Sequence, residues 1–380
     1  MRALLESGFR PLYPLGLAWA AVAVASWVFA PALDHAPLSG PWWHAHEMVW
    51  GFLATIAVGF LFTALPNWTG RATPRGAALG AFVGCWLAAR VGLWLGGRAY
   101  AAAALLDVLF FAAAALACLR PVLQARDARH VAPPLLLGAL AAADAVYLRA
   151  AATGDFGLAL RALDAGLLLP AALSAVIGSR IIPHLATLAV PGLAPRDTRA
   201  VARAALALLL GGGALHVVGA APRLEALLLF AAAASLTWQL LQWQPWRVAR
   251  HPVPAVLCLG YAGIAAGVTA LAAQAAGAAL PDTLWIHLLA TWGYTPLVLG
   301  VATRSSLAHL GRPLRLDRGM LASFALLFAA AALRLLALSE WSLASPALYA
   351  AALAWSGACA LFVVRFAPWM ARRRAAQHDR

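Results

Sequence analysis

The sequence has no lysine; all 28 basic residues are arginine. It is also poor in acid, with 14 Asp and Glu together, and charged residues make up only 11% of the chain. An ordinary water-soluble domain carries about 25% charged residues, so that class is excluded. There are four cysteines, Cys85, Cys118, Cys258 and Cys359, and no two form a CxxC pair. They read as small buried apolar residues and not as a disulfide framework. What the chain has in abundance is apolar surface: 63% of its 380 residues are hydrophobic and its mean hydropathy is +0.80. Disorder, which needs low hydrophobicity, is excluded as well. The net charge of +14 would by itself suggest nucleic acid. In so apolar a chain, arginine has another use, orientation in a bilayer, and no nucleic-acid partner is expected.

A bilayer core takes about 20 apolar residues of helix. Twelve such segments can be marked, near 12–33, 48–66, 76–96, 100–119, 134–152, 158–178, 201–220, 223–243, 253–278, 283–303, 319–338 and 344–366. The expected fold is an all-α polytopic transmembrane helix bundle of about 12 spans. It forms one integral membrane domain over residues 1–380, with short loops and a basic tail at 367–380. The run from Leu15 to Ala32 is too long for a cleaved signal peptide, and no small-residue cleavage site follows before Trp42. Arginine orients the bundle. Alternate connections and the two termini hold 22 of the 28 arginines, and all fall on one side. Both termini are therefore expected in the cytoplasm. The other six (Arg90, Arg98, Arg149, Arg161, Arg223 and Arg334) lie in or beside the opposite ends.

Ionisable groups inside spans are costly and need a reason. Arg90 and Asp107 fall at matching depth on neighbouring spans and are expected to pair. Asp144, Arg161 and Asp164 could form a second cluster. Either is a packing ion pair or part of an ion path. Of ten histidines, His35, His130 and His378 are expected to be solvated, and His184, His251 and His309 mark the inner ends of spans. His44, His46, His216 and His287 share the outer depth. Neutral imidazole is the commonest ligand for haem iron and copper, so these four are the candidate metal ligands. Glu47 could orient a ring. Two histidines two residues apart do not share a helix face, so His44 and His46 converge only if their stretch is a loop or a helix start. The alternative is a set of interfacial histidines beside an aromatic belt of Trp42, Trp43 and Trp50.

The stretch Trp43-His44-Ala45-His46-Glu47-Met48, running on to Pro66-Asn67-Trp68-Thr69-Gly70-Arg71, closely resembles the signature of the NnrS family. So does Gly8-Phe9-Arg10-Pro11-Leu12-Tyr13-Pro14. Later matches are Gly178-Ser179-Arg180-Ile181-Ile182-Pro183 after span 6, His287-Leu288 opening span 10, and Thr303-Arg304 with Leu307 to Arg312 closing it. The resemblance implies a bacterial inner-membrane protein that carries haem and copper and is linked to nitric oxide resistance and denitrification. It implies His44, His46, His287 and His309 as cofactor-binding candidates. Either His44 or His46 would pair with His287 across helices, and His309 would hold a second metal. Glu47, Arg90, Asp107 and Arg304 are the candidates for orienting or ion-pairing them. One departure stands out: where the family often has His-Leu-Gly-Tyr, this chain has Cys258-Leu259-Gly260-Tyr261. Pro296 is expected to kink span 10 in mid-membrane.

The implied partners are the lipid bilayer and nitric oxide; protein partners, and the choice between turnover and protection, are not read from the sequence. Two other functions fit the same chain. A secondary transporter would use Asp144, Arg161, Asp164 and Pro296 along a path, and a metal-containing scaffold would support a membrane redox complex.

Overall fold

The computed structural model describes residues 2–30 and 37–372. His35, His378 and the last residues of the basic tail lie outside them. Among the described residues, twelve helices are long and apolar enough to cross a membrane. They are α1 (Phe9–Phe29), α2 (Gly40–Thr69), α3 (Ala77–Leu95), α4 (Gly97–Ala125), α5 (Ala128–Thr153) and α6 (Phe156–Ala189). The second half has α7 (Arg199–Val218), α8 (Pro222–Gln242), α9 (Pro252–Ala275), α10 (Leu284–His309), α11 (Arg318–Leu336) and α12 (Ala344–Met370). The described residues contain no strand. In lipid every backbone polar group must be satisfied inside its own segment, and long helices do this.

Helices start and stop where local chemistry allows. Asp155 receives the Leu158 amide at the head of α6, and Asp317 receives the Met320 amide at the head of α11. Prolines stand at the first turn of α8 and α9, where no amide proton is needed. Gly154 ends α5 at φ 72°, a left-handed position that favours glycine.

Neighbours in sequence pack as neighbours in space through most of the chain, and α12 returns to pack on α1, closing the bundle. Leu87, Val91 and Leu95 recur every four residues on α3 and are all exposed. Such stripes face the lipid bilayer. Helices α2 and α9 are the inner ones, each 72% buried along its apolar window. The start of α1 and the end of α12 lie together at one end of the bundle, called here the proximal end. Arg10, expected as a topological charge at the N-terminus, is instead buried in α1. Its Nη1 donates to the carbonyls of Met370 and Arg372, both at 2.8 Å. It satisfies carbonyls that the last turn of α12 leaves without partners.

Two sequence-based boundaries move. Helix α2 starts at Gly40 rather than near 48, so the histidine motif is helical. Helix α6 runs on to Ala189, which places the Gly178–Pro183 motif and His184 inside it rather than after it. The expected kink at Pro296 takes a different form. Residues Leu288–Tyr294 are π-helical, and Pro296 sits in the first turn of the α-helix that follows. A second π-helical stretch, Glu47–Ala54, lies within α2. Each is followed by a threonine that closes the wide turn with its hydroxyl. Thr55 Oγ1 donates to Trp50 O at 2.9 Å, and Thr295 Oγ1 to Ala290 O at 2.8 Å. Such insertions re-aim side chains and recur at functional sites.

Candidate functional site

The two histidines of the α2 motif part company. The turn Gly40–His46 is α-helical, so residues two apart point to different sides. His44 faces a cavity; His46 faces a buried charge network.

The network has five members from four helices. His46 Nδ1 is 2.9 Å from Glu47 Oε1, and its Nε2 is 3.0 Å from Asp144 Oδ1 and 3.4 Å from Asp107 Oδ2. Arg90 Nη1 donates to Glu47 Oε2 at 2.6 Å, and Arg90 Nη2 pairs with Asp107 Oδ2. Trp19 Nε1 completes Glu47 at 2.5 Å. His46, Glu47, Asp107 and Asp144 are fully buried, and Arg90 is 1% exposed. The His46 ring clusters with Trp50 and Tyr147, their centroids 5.2 and 5.6 Å from it and 5.3 Å from each other. Gly51 makes room: a Cβ there would stand 2.5 Å from Glu47 Oε2 and 2.9 Å from Arg90 Nη1. Three carboxylates face one obligate cation, so every donor here is in demand.

The cavity, of about 320 Å³, lies at the distal end between α1, α2, α10 and α11, with α6 and α12 at its sides. That is the lower range for small-molecule and cofactor sites, about 300–1,000 Å³. Its walls are apolar and aromatic, with Trp27, Met48, Phe52 and Trp355 among them. The polar groups are few: His44, His287, Arg334 and a short row of Thr and Tyr on α10. The His44 ring stacks on Trp27 at 4.2 Å and 15°. Its Nδ1 is buried without a hydrogen-bond partner. His287 Nδ1 lies 2.8 Å from the Thr283 carbonyl, which can only accept. The proton is therefore on Nδ1, and Nε2 carries the free lone pair.

The remaining sequence candidates go elsewhere. His216 is not in the cavity. It is held by Glu225 at 2.9 Å and Asp164 at 3.4 Å, with both ring nitrogens occupied. His309 ends α10 at the proximal end, its ring 5.4 Å from Phe9. His130 is not simply solvated: it stacks on Trp68 at 5.0 Å and meets Asp127 at 3.1 Å. The cluster of Asp144, Arg161 and Asp164 does not form. Asp144 serves His46, Asp164 serves His216, and Arg161 is exposed with its Nε on the Gly157 carbonyl. Arg304 makes no ion pair among the described residues. Cys258 is buried in α9 and lines no part of the cavity. The sequence alone does not mark Arg334 or Trp27 as cavity residues. The one signal available was that Arg334 is among the few arginines at the distal ends.

The fold and site together define a polytopic membrane protein. It has one cofactor-sized apolar cavity flanked by two histidines, and a buried ion network beside it. The chain belongs to the NnrS family: the family model described as NnrS protein matches residues 3–374. No curated protein matches the chain.

Proposed function

We propose that the distal cavity holds a haem with His44 and His287 as iron ligands, and that the protein serves the response to nitric oxide in the bacterial inner membrane. The observation that carries this reading is one pair of histidines, from α2 and α10, facing one apolar cavity. The residues fit the group. The orphaned, buried Nδ1 of His44 wants a partner, and the Thr283 carbonyl leaves the Nε2 of His287 for a metal. Family membership supports the link to nitric oxide. With its iron ferrous and one of the two histidines giving up its place, a haem here would supply a centre that binds small neutral diatomics.

The chain's own contribution is positional. Trp27 fixes the plane of the His44 ring, Thr283 fixes the tautomer of His287, and the aromatic walls exclude water. Nitric oxide, small and uncharged, can arrive through lipid. The arginine asymmetry supports a cytoplasmic proximal end, which would set the cavity in the outer half of the membrane. A role in denitrification follows as the setting in which nitric oxide is met. Copper fits less simply. The described residues offer one three-donor group, His46, Asp107 and Asp144, whose imidazole and carboxylates suit Cu(II). Arg90 already occupies Asp107, and a second cation would have to displace it. No step is assigned to copper.

The transporter reading has one observation in its favour. A second cavity of about 120 Å³ lies towards the proximal end, lined by Tyr13, Phe60, Ser174, Gly178 and Val301 among others. It shares Leu53 and Tyr294 with the first, so these two residues stand between them. The readings separate in one experiment: protein produced with haem supplied, purified in detergent, and scanned before and after reduction. A Soret band that shifts when nitric oxide is added is the expected outcome. A colourless protein would overturn the haem assignment and favour transport. A haem band indifferent to nitric oxide would overturn the nitric oxide part alone.

A further inference from the structure

Among the described residues, Arg334 is the one arginine that lines the cavity. It stands two residues from the distal end of α11 and lines the same cavity as His44 and His287. It lies within electrostatic reach of both histidines. Among the described residues no carboxylate forms an ion pair with it, and no acceptor hydrogen-bonds to it. The contrast with Arg90, which holds two carboxylates in the same half of the bundle, is complete. The buried acids of the distal half are all committed elsewhere. Glu47, Asp107 and Asp144 serve Arg90 and His46, while Asp164 and Glu225 serve His216.

A guanidinium cannot shed its proton, and Arg334, half-buried near the end of its span against an apolar cavity wall, is better placed with an anion beside it. Its planar fork matches a carboxylate with two parallel hydrogen bonds. The rest of the cavity is mostly apolar wall, with the two imidazoles and the Thr and Tyr side chains of α10.

We infer that Arg334 is the anion receptor of the distal cavity and takes a carboxylate or an equally planar oxyanion at its mouth. The identity of the anion rests on the haem reading. An amphipathic ligand with its flat apolar body between the histidines would present its side-chain acid to Arg334. A free oxyanion such as nitrite would offer the same chemistry without the body.

The test uses full-length apo-protein in detergent, titrated with ferric haem and with haem whose two propionates are methyl esters. The readout is the dissociation constant from Soret absorbance, not activity. A charged hydrogen-bonded pair is worth ~1.5–3 kcal/mol, so wild type should prefer the free acid by about tenfold or more. Arg334→Gln should bind both forms alike, at about the affinity of wild type for the ester. Arg334→Lys should retain part of the preference, which separates charge recognition from loss of fold. Sodium nitrite, titrated by calorimetry into wild type and Arg334→Gln, identifies the other source. Binding by wild type alone, with no preference for acid over ester, keeps the receptor and makes its anion a free one. Equal preference in wild type and Arg334→Gln, with nitrite bound by neither or by both, overturns the inference while leaving the haem reading intact. If wild type takes neither form of haem, the haem reading falls, and the nitrite arm alone decides Arg334.

Discussion

His46 Nε2 lies 3.0 Å from Asp144 Oδ1, so residues 98 positions apart join α2 to α5 inside the bilayer. The contact gives His46 a structural duty and leaves His44 as the histidine of the motif that is free for a ligand. Breaking one side of a buried ion pair costs about 3–5 kcal/mol. Asp144→Ala and His46→Ala are therefore expected to lower the melting temperature in detergent sharply, with Asp144→Asn milder because it keeps a hydrogen-bonding atom. Haem content per folded molecule should be unchanged in all three. Haem lost from a His46→Ala protein of wild-type stability would place the ligand at the wrong histidine.

Gly51 sets a steric condition on the same network. A Cβ there would also stand 2.9 Å from Trp19 Nε1, so Gly51→Ala must push apart three partners of one site. Overpacking of this kind costs about 1–3 kcal/mol. Gly84 is the control. It is exposed on α3 with nothing within 4 Å of its added Cβ. Gly84→Ala should stabilise slightly, by up to about 1 kcal/mol, because alanine is the better helix former. Parallel thermal melts should move in opposite directions; equal shifts would mean the close approach at Gly51 carries no weight.

At the proximal surface, Asp317 caps α11 through the Met320 amide at 3.0 Å and meets Arg365 Nε at 2.5 Å. Partial burial pushes its carboxyl up, but the Met320 amide and Arg365 outweigh it, and the group sits below its ordinary value. A lowered folded value means the contribution is full above the unfolded value, ~3.9, and is lost as pH falls through the lowered one. Between pH 5 and 8 the difference in melting temperature between wild type and Asp317→Ala should thus be flat, with the lost cap worth about 1 kcal/mol. Asp317→Asn keeps the cap and loses only a solvent-screened pair, so it should stay within about 1 kcal/mol of wild type. A pH-dependent gap in that window would rule out this assignment.

Cys258 stands where the resemblance to the NnrS family leads one to expect histidine. It is buried in α9 and lines neither cavity. Cys258→His should leave any haem spectrum and metal content unchanged, and should lower stability because the larger ring must fit a packed site. A new or shifted absorption band would reveal a ligand position there.

Much of the fold was legible because lipid imposes one strong rule, about 20 apolar residues per span, and the chain obeys it twelve times. The even count, and the termini on one side, follow from arginine alternation and are mirrored in the contact of Arg10 with Met370. What sequence could not supply was direction around a helix axis. His44, His46, His216 and His287 share a depth, yet they end in three separate surroundings. The reasons are local: about half a helical turn separates His44 from His46, and acids on α6 and α8 capture His216. The π-helical stretches carry no pattern that a 3.6-residue period would reveal, so the aim of His287 was also out of reach. Arg334 was visible only as an arginine on the sparse side. Its importance depends on the acids that pair elsewhere, and that is a property of the fold.

The most direct measurement is haem stoichiometry in purified wild type, His44→Ala, His287→Ala, His216→Ala and His309→Ala, read from the Soret band with protein quantified separately. The two cavity histidines should each be required: loss or a clear change of the band in His44→Ala and in His287→Ala, with wild-type spectra in His216→Ala and His309→Ala. A band that survives unaltered in both cavity variants, or that disappears with His216 or His309, would contradict the assignment of the haem to the distal cavity.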